Sequence, residues 1–113
     1  MTRPWMPIYW GDYTKKTQHL STLEHGAYLL LIAHYWNTGQ PIPNNPDTLR
    51  RITRTTSKQW NQIEGAMLGF FQIDGNFLIH ERVESELQTA LGISTLQSSR
   101  AEQGWKTRKN QRA

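Results

Sequence analysis

Apolar residues fall along this chain in short clusters, and each cluster has the period of one element. The first begins at Leu20-Ser21-Thr22-Leu23-Glu24. Ser21 is placed to accept from the N–H of Glu24, and Glu24 to accept from the N–H of Ser21, the reciprocal pattern of a capping box. Residues 27–36 are apolar on nearly every face, which predicts a central buried helix ending near Asn37. Asn37-Thr38-Gly39 stops it. Gly26 lies inside this helix, where glycine costs about 1 kcal/mol relative to alanine. A close approach by another backbone, such as the N-terminal segment, would account for it.

The next clusters are shorter. Gln40-Pro41-Ile42-Pro43 is extended, with one strand-like residue between two prolines, which suits the edge of a small sheet. Asn45-Pro46-Asp47 starts a second helix, with Asn45 as cap, Pro46 at the first helical position and Asp47 at the positive end of the dipole. Leu49 and Ile52 face inward at i, i+3, and the helix ends near Thr53. A turn at Thr55-Thr56-Ser57 follows, and Thr56 with Gln59 makes a second capping box. The third helix is predicted over residues 57–68, with Trp60, Ile63, Met67 and Phe70 on one face. Phe71-Gln72-Ile73 and Phe77-Leu78-Ile79 are β-prone runs flanking Asp74-Gly75-Asn76, a hairpin signal. A last helix begins near Arg82, with Val83, Leu87, Ala90 and Leu91 on one face. Residues 1–18 hold Trp5, Tyr9, Trp10 and Tyr13. Pro4 and Pro7 keep their start extended, and residues 8–10 read as a short strand or a strap tied down across the core.

The order of elements is therefore helix, edge strand, short helix, turn, helix, hairpin, helix. That is the order of a winged helix-turn-helix, a mainly α fold with a small β-hairpin. At 113 residues the chain makes one domain. Residues 1–97 are expected to form it, and residues 98–113 are expected to be a basic, flexible tail. The hydrophobic fraction is 36%, low enough to suggest disorder, but 12 aromatic residues argue for a packed core. No cysteine is present, so disulfides and thiolate metal sites are excluded. The N-terminus has no signal-peptide pattern, and the longest apolar run is too short to span a bilayer. These features lead us to expect a cytoplasmic protein that does not engage membranes.

Charge changes the picture more than composition does. The formal net charge is +4, and residues 98–113 alone carry five cations against Glu102. Within the balanced remainder, residues 45–62 hold Arg50, Arg51, Arg54 and Lys58 against Asp47. Residues 72–87 hold Asp74, Glu81, Glu84 and Glu86 against Arg82. In a winged helix the third helix enters a major groove of duplex DNA. Its outward residues Lys58, Gln59, Asn61 and Gln62 are types that read base edges and phosphates. Arg50, Arg51 and Arg54, with Lys106, Arg108 and Lys109 of the tail, would contact the backbone. The wing itself is acidic at its tip, with only Asn76, His80 and Arg82 to help, so it is expected to contribute little.

Several residues carry a family resemblance. Trp5-Met6-Pro7, Gly11-Asp12-Tyr13, His19-Leu20-Ser21, Glu24-His25-Gly26-Ala27-Tyr28 with its following leucines, and Tyr35-Trp36 resemble the YdaU-like family of prophage proteins. The likeness continues through Pro41-Ile42-Pro43, Phe70-Phe71 and Arg82-Val83 and covers residues 5–91. Members are similar to the N-terminal, winged-helix-like part of phage replication proteins and tend to be encoded near helicase loaders. The resemblance implies a phage or prophage origin in a bacterial host and a role at replication initiation. It supplies no catalytic residues. Many members continue into a further C-terminal region, whereas this sequence stops after its basic tail.

Other chemistry is weak. Ser21, His25 and Asp12 suggest a triad only until Ser21 and Glu24 are recognised as a capping box, and no nucleophile elbow is present. His19, His25, His34 and His80 show no metal-ligand spacing, and His34 reads as a buried imidazole with a hydrogen-bond partner. No glycine-rich phosphate loop and no cofactor motif is present, so the expected protein is not an enzyme. Trp36 and Trp60 read as core, Trp5 and Trp10 stay open, and Trp105 among the tail cations is the best stacking candidate. The alternative to DNA binding is a module that docks on a replicative helicase, a helicase loader or another host protein. The acidic run 81–86 and Trp105 motivate it, and Val83, Leu87 and Leu91 suggest a homodimer face.

Overall fold

The structure is a computed structural model, and it describes residues 5–90. The expected tail contacts Lys106, Arg108 and Lys109, together with Trp105 and Leu91, lie outside the described residues. The elements follow as α1 (Trp10–Lys16), α2 (Thr22–Thr38), β1 (Ile42–Pro43), α3 (Pro46–Thr53), α4 (Ser57–Leu68), β2 (Gln72–Asp74), β3 (Phe77–Ile79) and α5 (Glu81–Ala90). From α2 onward this is the expected order. The fold is mainly α with a small antiparallel sheet, an arrangement compatible with a winged helix.

Helix α2 forms because both its ends are chemically defined. Ser21 Oγ accepts from the N–H of Glu24, and Glu24 Oε1 accepts from the N–H of Ser21 at 2.7 Å. Gly39 ends the helix at φ 70°, a left-handed position that favours glycine. Between these caps Ala27, Tyr28, Leu31, Ile32, Tyr35 and Trp36 are buried, and α3, α4 and α5 all pack on this helix. Gly26 differs from the sequence expectation. It is exposed, and a Cβ there would meet nothing within 4 Å. No close approach requires it, so its conformational entropy is an uncompensated cost. Gly26→Ala should raise the unfolding free energy by about 1 kcal/mol, read as a higher denaturant midpoint at unchanged slope.

The sheet has β3 in the middle, in the order β1-β3-β2. Ile42 stands opposite Leu78, both fully buried, and Pro43 opposite Phe77. The prolines on either side of Ile42 cannot donate to a ladder, which confines β1 to the edge. Asp74 pairs with Phe77, so the hairpin turn is Gly75-Asn76 alone, one residue tighter than the loop the sequence suggested. Gly75 sits at φ 61°, as the first position of such a two-residue turn requires.

Three expectations are corrected by packing. Residues 8–10, expected as a short strand or strap, form no strand, and Trp10 instead opens an unexpected helix over residues 10–16. The helix escaped the sequence reading because Gly11, Tyr13 and Thr14 are poor helix formers. Asp12 in its first turn and Lys15 and Lys16 in its last are the dipole-matched signal that marks it. Of the four N-terminal aromatics only Tyr13 is tied down, packed on the core with its hydroxyl 2.8 Å from His25 Nδ1, while Trp5, Tyr9 and Trp10 are 59–71% exposed. Finally, Val83 and Leu87 lie in the core against α2, so they do not supply a dimer face. Glu84, counted above with the acidic surface run, is buried too, and Tyr35 donates to its Oε2 at 2.6 Å.

Candidate nucleic-acid interface

The cationic residues of α3 are placed by its amphipathic pattern. Asn45 Oδ1 accepts from the N–H of Thr48 and Pro46 opens the first turn, so the helix starts where the sequence puts it. Leu49 turns fully inward. That leaves Arg51 and Arg54 exposed. Arg50 is half-buried, and its Nη2 lies 3.6 Å from Asp47 Oδ1, a pairing that offsets part of its charge.

The turn to α4 is built around Arg54. This residue has φ 58° and ψ 39°, the only positive φ among the described non-glycine residues. The N–H of Thr55 donates to Arg50 O at 3.1 Å and the N–H of Arg54 to Arg51 O at 3.3 Å. Those bonds close a helix ending at which glycine is the usual residue, and a side chain with a Cβ costs about 1 kcal/mol there. Thr53 holds the turn from inside. Its Oγ1 donates to Leu49 O at 2.8 Å and lies 2.9 Å from Thr55 Oγ1.

Helix α4 begins with the expected capping box. Thr56 Oγ1 accepts from the N–H of Gln59, and Gln59 Oε1 accepts from the N–H of Thr56 at 2.9 Å. This cap holds the side-chain oxygen of Gln59 against the backbone, so its amide N–H groups are better placed to meet a ligand than its oxygen. Trp60, Ile63 and Met67 are buried beneath the helix. Lys58, Asn61, Gln62 and Gly65 are exposed at i, i+3, i+4 and i+7, one stripe along the outer face. The first turn of α4 carries no acid, so its positive dipole end reinforces Lys58, Arg54 and Arg51 beside it. The structure therefore leaves Arg51, Arg54, Lys58, Asn61 and Gln62 exposed along α3, its turn and α4, and gives Arg50 and Gln59 other bonds to keep.

The hairpin offers less. Gln72 and Ile73 are exposed on β2, and residues 71–79 contain no cation. His80 and Arg82, which the sequence offered as helpers, are engaged elsewhere. His80 is buried and caps α5, its Nδ1 accepting from the N–H of Val83 at 3.2 Å. Its Nε2 lies 2.7 Å from the hydroxyl of Tyr28. Burial, aided by Lys16 and Arg82, lowers its pKa to about 4. Burial, aided by Tyr13, raises that of Tyr28 to about 12. Arg82 Nε pairs with Glu86 Oε2 at 2.9 Å, and its guanidinium lies 4.5 Å over the ring of Tyr9. The sequence pointed to His34 as the buried imidazole, but His34 is only half-buried and that place belongs to His80. An apolar neighbourhood in sequence misled, because His34 sits on the rim of α2. His80 gave one signal of its role, its position just before the last helix.

Among the described residues no group of three His, Cys, Asp or Glu side chains is arranged to hold a metal ion. No described helix is long and apolar enough to cross a membrane.

Fold and exposed surface together define a small mainly α domain with a closely turned helix pair, α3 and α4, and a β-hairpin beside it. A family described as "Protein of unknown function (DUF1376)" matches residues 4–88, and the chain belongs to that family. It is 39% identical over 107 residues to the uncharacterized protein YdaU of Escherichia coli (strain K12). The match covers 87% of this chain and 37% of that relative, so the chain spans little more than a third of its length. No solved structure matches the chain.

Proposed function

We propose that this protein is a winged helix-turn-helix DNA-binding protein of phage or prophage origin, acting at replication initiation in the bacterial cytoplasm. The observation that carries the DNA reading is the stripe Lys58, Asn61, Gln62 on α4, set beside exposed Arg51 and Arg54. Asn and Gln amides pair with adenine edges, and Lys and Arg with guanine or phosphate. Gly65 extends the stripe without a side chain, which lets the helix lie close to a groove floor. Arg51 and Arg54 stand where the backbone passes, with Arg50 contributing less because of Asp47. The hairpin is the wing, and its lack of cations assigns it a minor part. The phage setting and the link to replication rest on what the resemblance of residues 5–91 to the YdaU-like family implies.

The test is a fluorescence-anisotropy titration of labelled random duplex with wild type and with Arg51→Ala, Arg54→Ala, Lys58→Ala combined. All three side chains are exposed, so the variant should fold as wild type does by circular dichroism. Its affinity should fall at least about tenfold, or about 1.4 kcal/mol. Equal affinity would remove α3 and α4 from the interface.

One observation favours a second reading, in which the domain docks on a replicative helicase or its loader without touching DNA. Trp5, Tyr9 and Trp10 are large exposed aromatics, the residue types that anchor protein interfaces. The acidic run no longer supports it, since Glu84 is buried and Glu86 is paired with Arg82. Capture of a replication protein from nuclease-treated host lysate by wild type, lost with Trp5→Ala and Trp10→Ala, would favour this reading.

A further inference from the structure

An open cleft of about 500 Å³ lies where the C-terminal end of α4 meets the start of α5. Lys16, Tyr28, Phe70, Glu81, Arg82 and Ser85 contribute to its walls. It is separate from the stripe on α4, whose Lys58, Asn61 and Gln62 occupy the opposite half of that helix. We propose that this cleft binds a phosphate group, carried by a small phosphomonoester or by the end of a nucleic acid strand.

The argument rests on what the cleft can donate. The N–H of Val83 can only donate, so Nδ1 of neutral His80 is its acceptor and the ring hydrogen lies on Nε2. That hydrogen goes to the Tyr28 oxygen at 2.7 Å. The hydroxyl proton of Tyr28 is thereby turned away from His80 and is free for a ligand. Lys16 is exposed and adds an ammonium, and Ser85, also exposed, adds a hydroxyl. Arg82 adds a guanidinium whose Nε is held by Glu86. Its Nη2 is buried without a hydrogen-bond partner, and the Tyr9 ring over the guanidinium offsets only part of that desolvation. Tyr9 covers this guanidinium and is itself 59% exposed, so a small displacement of one ring uncovers it.

The rings add to the same preference. Tyr13 and Tyr28 lie near-parallel at 6.0 Å, Tyr28 and Phe70 at 4.4 Å, and Phe70 and His19 at 6.0 Å. Of these only Tyr28 and Phe70 line the cleft, and because each covers a face of the other they leave ring edges, the positive part of the quadrupole, for a ligand. Two cations, two hydroxyls and ring edges suit a dianion with several acceptor oxygens better than a halide, which has one point of contact. Glu81 is the one acid among the lining residues. As a carboxylate it only accepts, so it opposes the phosphate itself and suits a hydroxyl on the group that carries it.

The experiment is an amide-shift titration of the full chain with four probes at matched ionic strength. These are inorganic phosphate, a nucleoside 5′-monophosphate, a short 5′-phosphorylated single strand and its unphosphorylated twin. At least one phosphate probe should give saturable shifts at Lys16, Tyr28, Arg82 and Ser85. Lys16→Gln, an exposed substitution, should weaken that binding about tenfold, and Tyr28→Phe should weaken it with His80 still capping α5. The probe that binds most tightly identifies the source of the phosphate. A phosphorylated strand and its twin shifting the cleft equally would overturn the terminal-phosphate source. No saturable shift at the cleft with any probe, shifts reproduced by potassium chloride, or binding unchanged in Lys16→Gln would overturn the proposal. Shifts at Lys58 and Asn61 report the α4 surface separately, so the two sites are judged independently.

Discussion

The unfolding free energy should fall by roughly 3 kcal/mol as the pH is lowered from about 6.5 to about 4, through His80 alone. In the folded protein the ring is buried between Tyr28 and the first turn of α5, with Lys16 and Arg82 adding like charge. Protonation would also destroy the acceptor that caps Val83. Its folded pKa is thus depressed below the ordinary histidine value of 6.5. Above that value both states are neutral and the stability is fully present. Between the two values the unfolded chain takes up a proton that the folded chain refuses, so stability drops as pH falls. Below the folded value both states are charged and the loss is complete. His80→Asn keeps a side chain able to cap α5 but cannot titrate. Denaturant curves at several pH values should show the steep decline in wild type and its absence, relative to wild type, in the variant. Parallel curves would show that His80 does not carry this linkage.

Arg54→Gly should move stability and DNA affinity in opposite directions. Glycine is at ease at φ 58°, so removing the side chain should stabilise the fold by about 1 kcal/mol. The same change removes a cation from the proposed backbone contact. Duplex affinity should fall about fivefold, and the salt dependence should weaken by about one unit of log–log slope. A residue with a purely structural role would not behave in this way. Arg54 would be out of the interface if the variant were more stable and bound as tightly as before. A loss of stability would mean that the side chain supports the turn.

Most of the fold from α2 onward was legible because local chemistry and global packing agree there. Ser21 with Glu24, Asn45 with Pro46, and Thr56 with Gln59 mark helix starts that the structure reproduces. Ile42 between its prolines is the edge strand it looked to be. What was missed depends on contacts distant in sequence. Tyr35 reaches Glu84 across 49 positions and Tyr28 reaches His80 across 52, and no local pattern announces either. Both turned polar residues expected on the surface into buried ones. Helix α1 was missed for a different reason, since a seven-residue helix without a side-chain cap has only the charges of Asp12, Lys15 and Lys16 as a local signature.

The candidate interface was legible as a set of residue types but not as a geometry. The sequence named Arg50, Arg51, Arg54, Lys58, Gln59, Asn61 and Gln62 together. The fold sorts them. Asp47 draws on Arg50, the cap on Thr56 draws on Gln59, and the other five remain exposed. The left-handed backbone at Arg54 had no sequence signal, because arginine is not a residue one expects there.

The most direct measurement is the affinity of the full chain for random duplex across a series of salt concentrations. If Arg51, Arg54, Lys58 and the tail cations engage about six phosphates, the log of the binding constant should fall with log salt at a slope of about −5. A binding constant indifferent to salt, or no binding at the lowest salt, would contradict the account and leave the exposed aromatics of the N-terminal arm as its working surface.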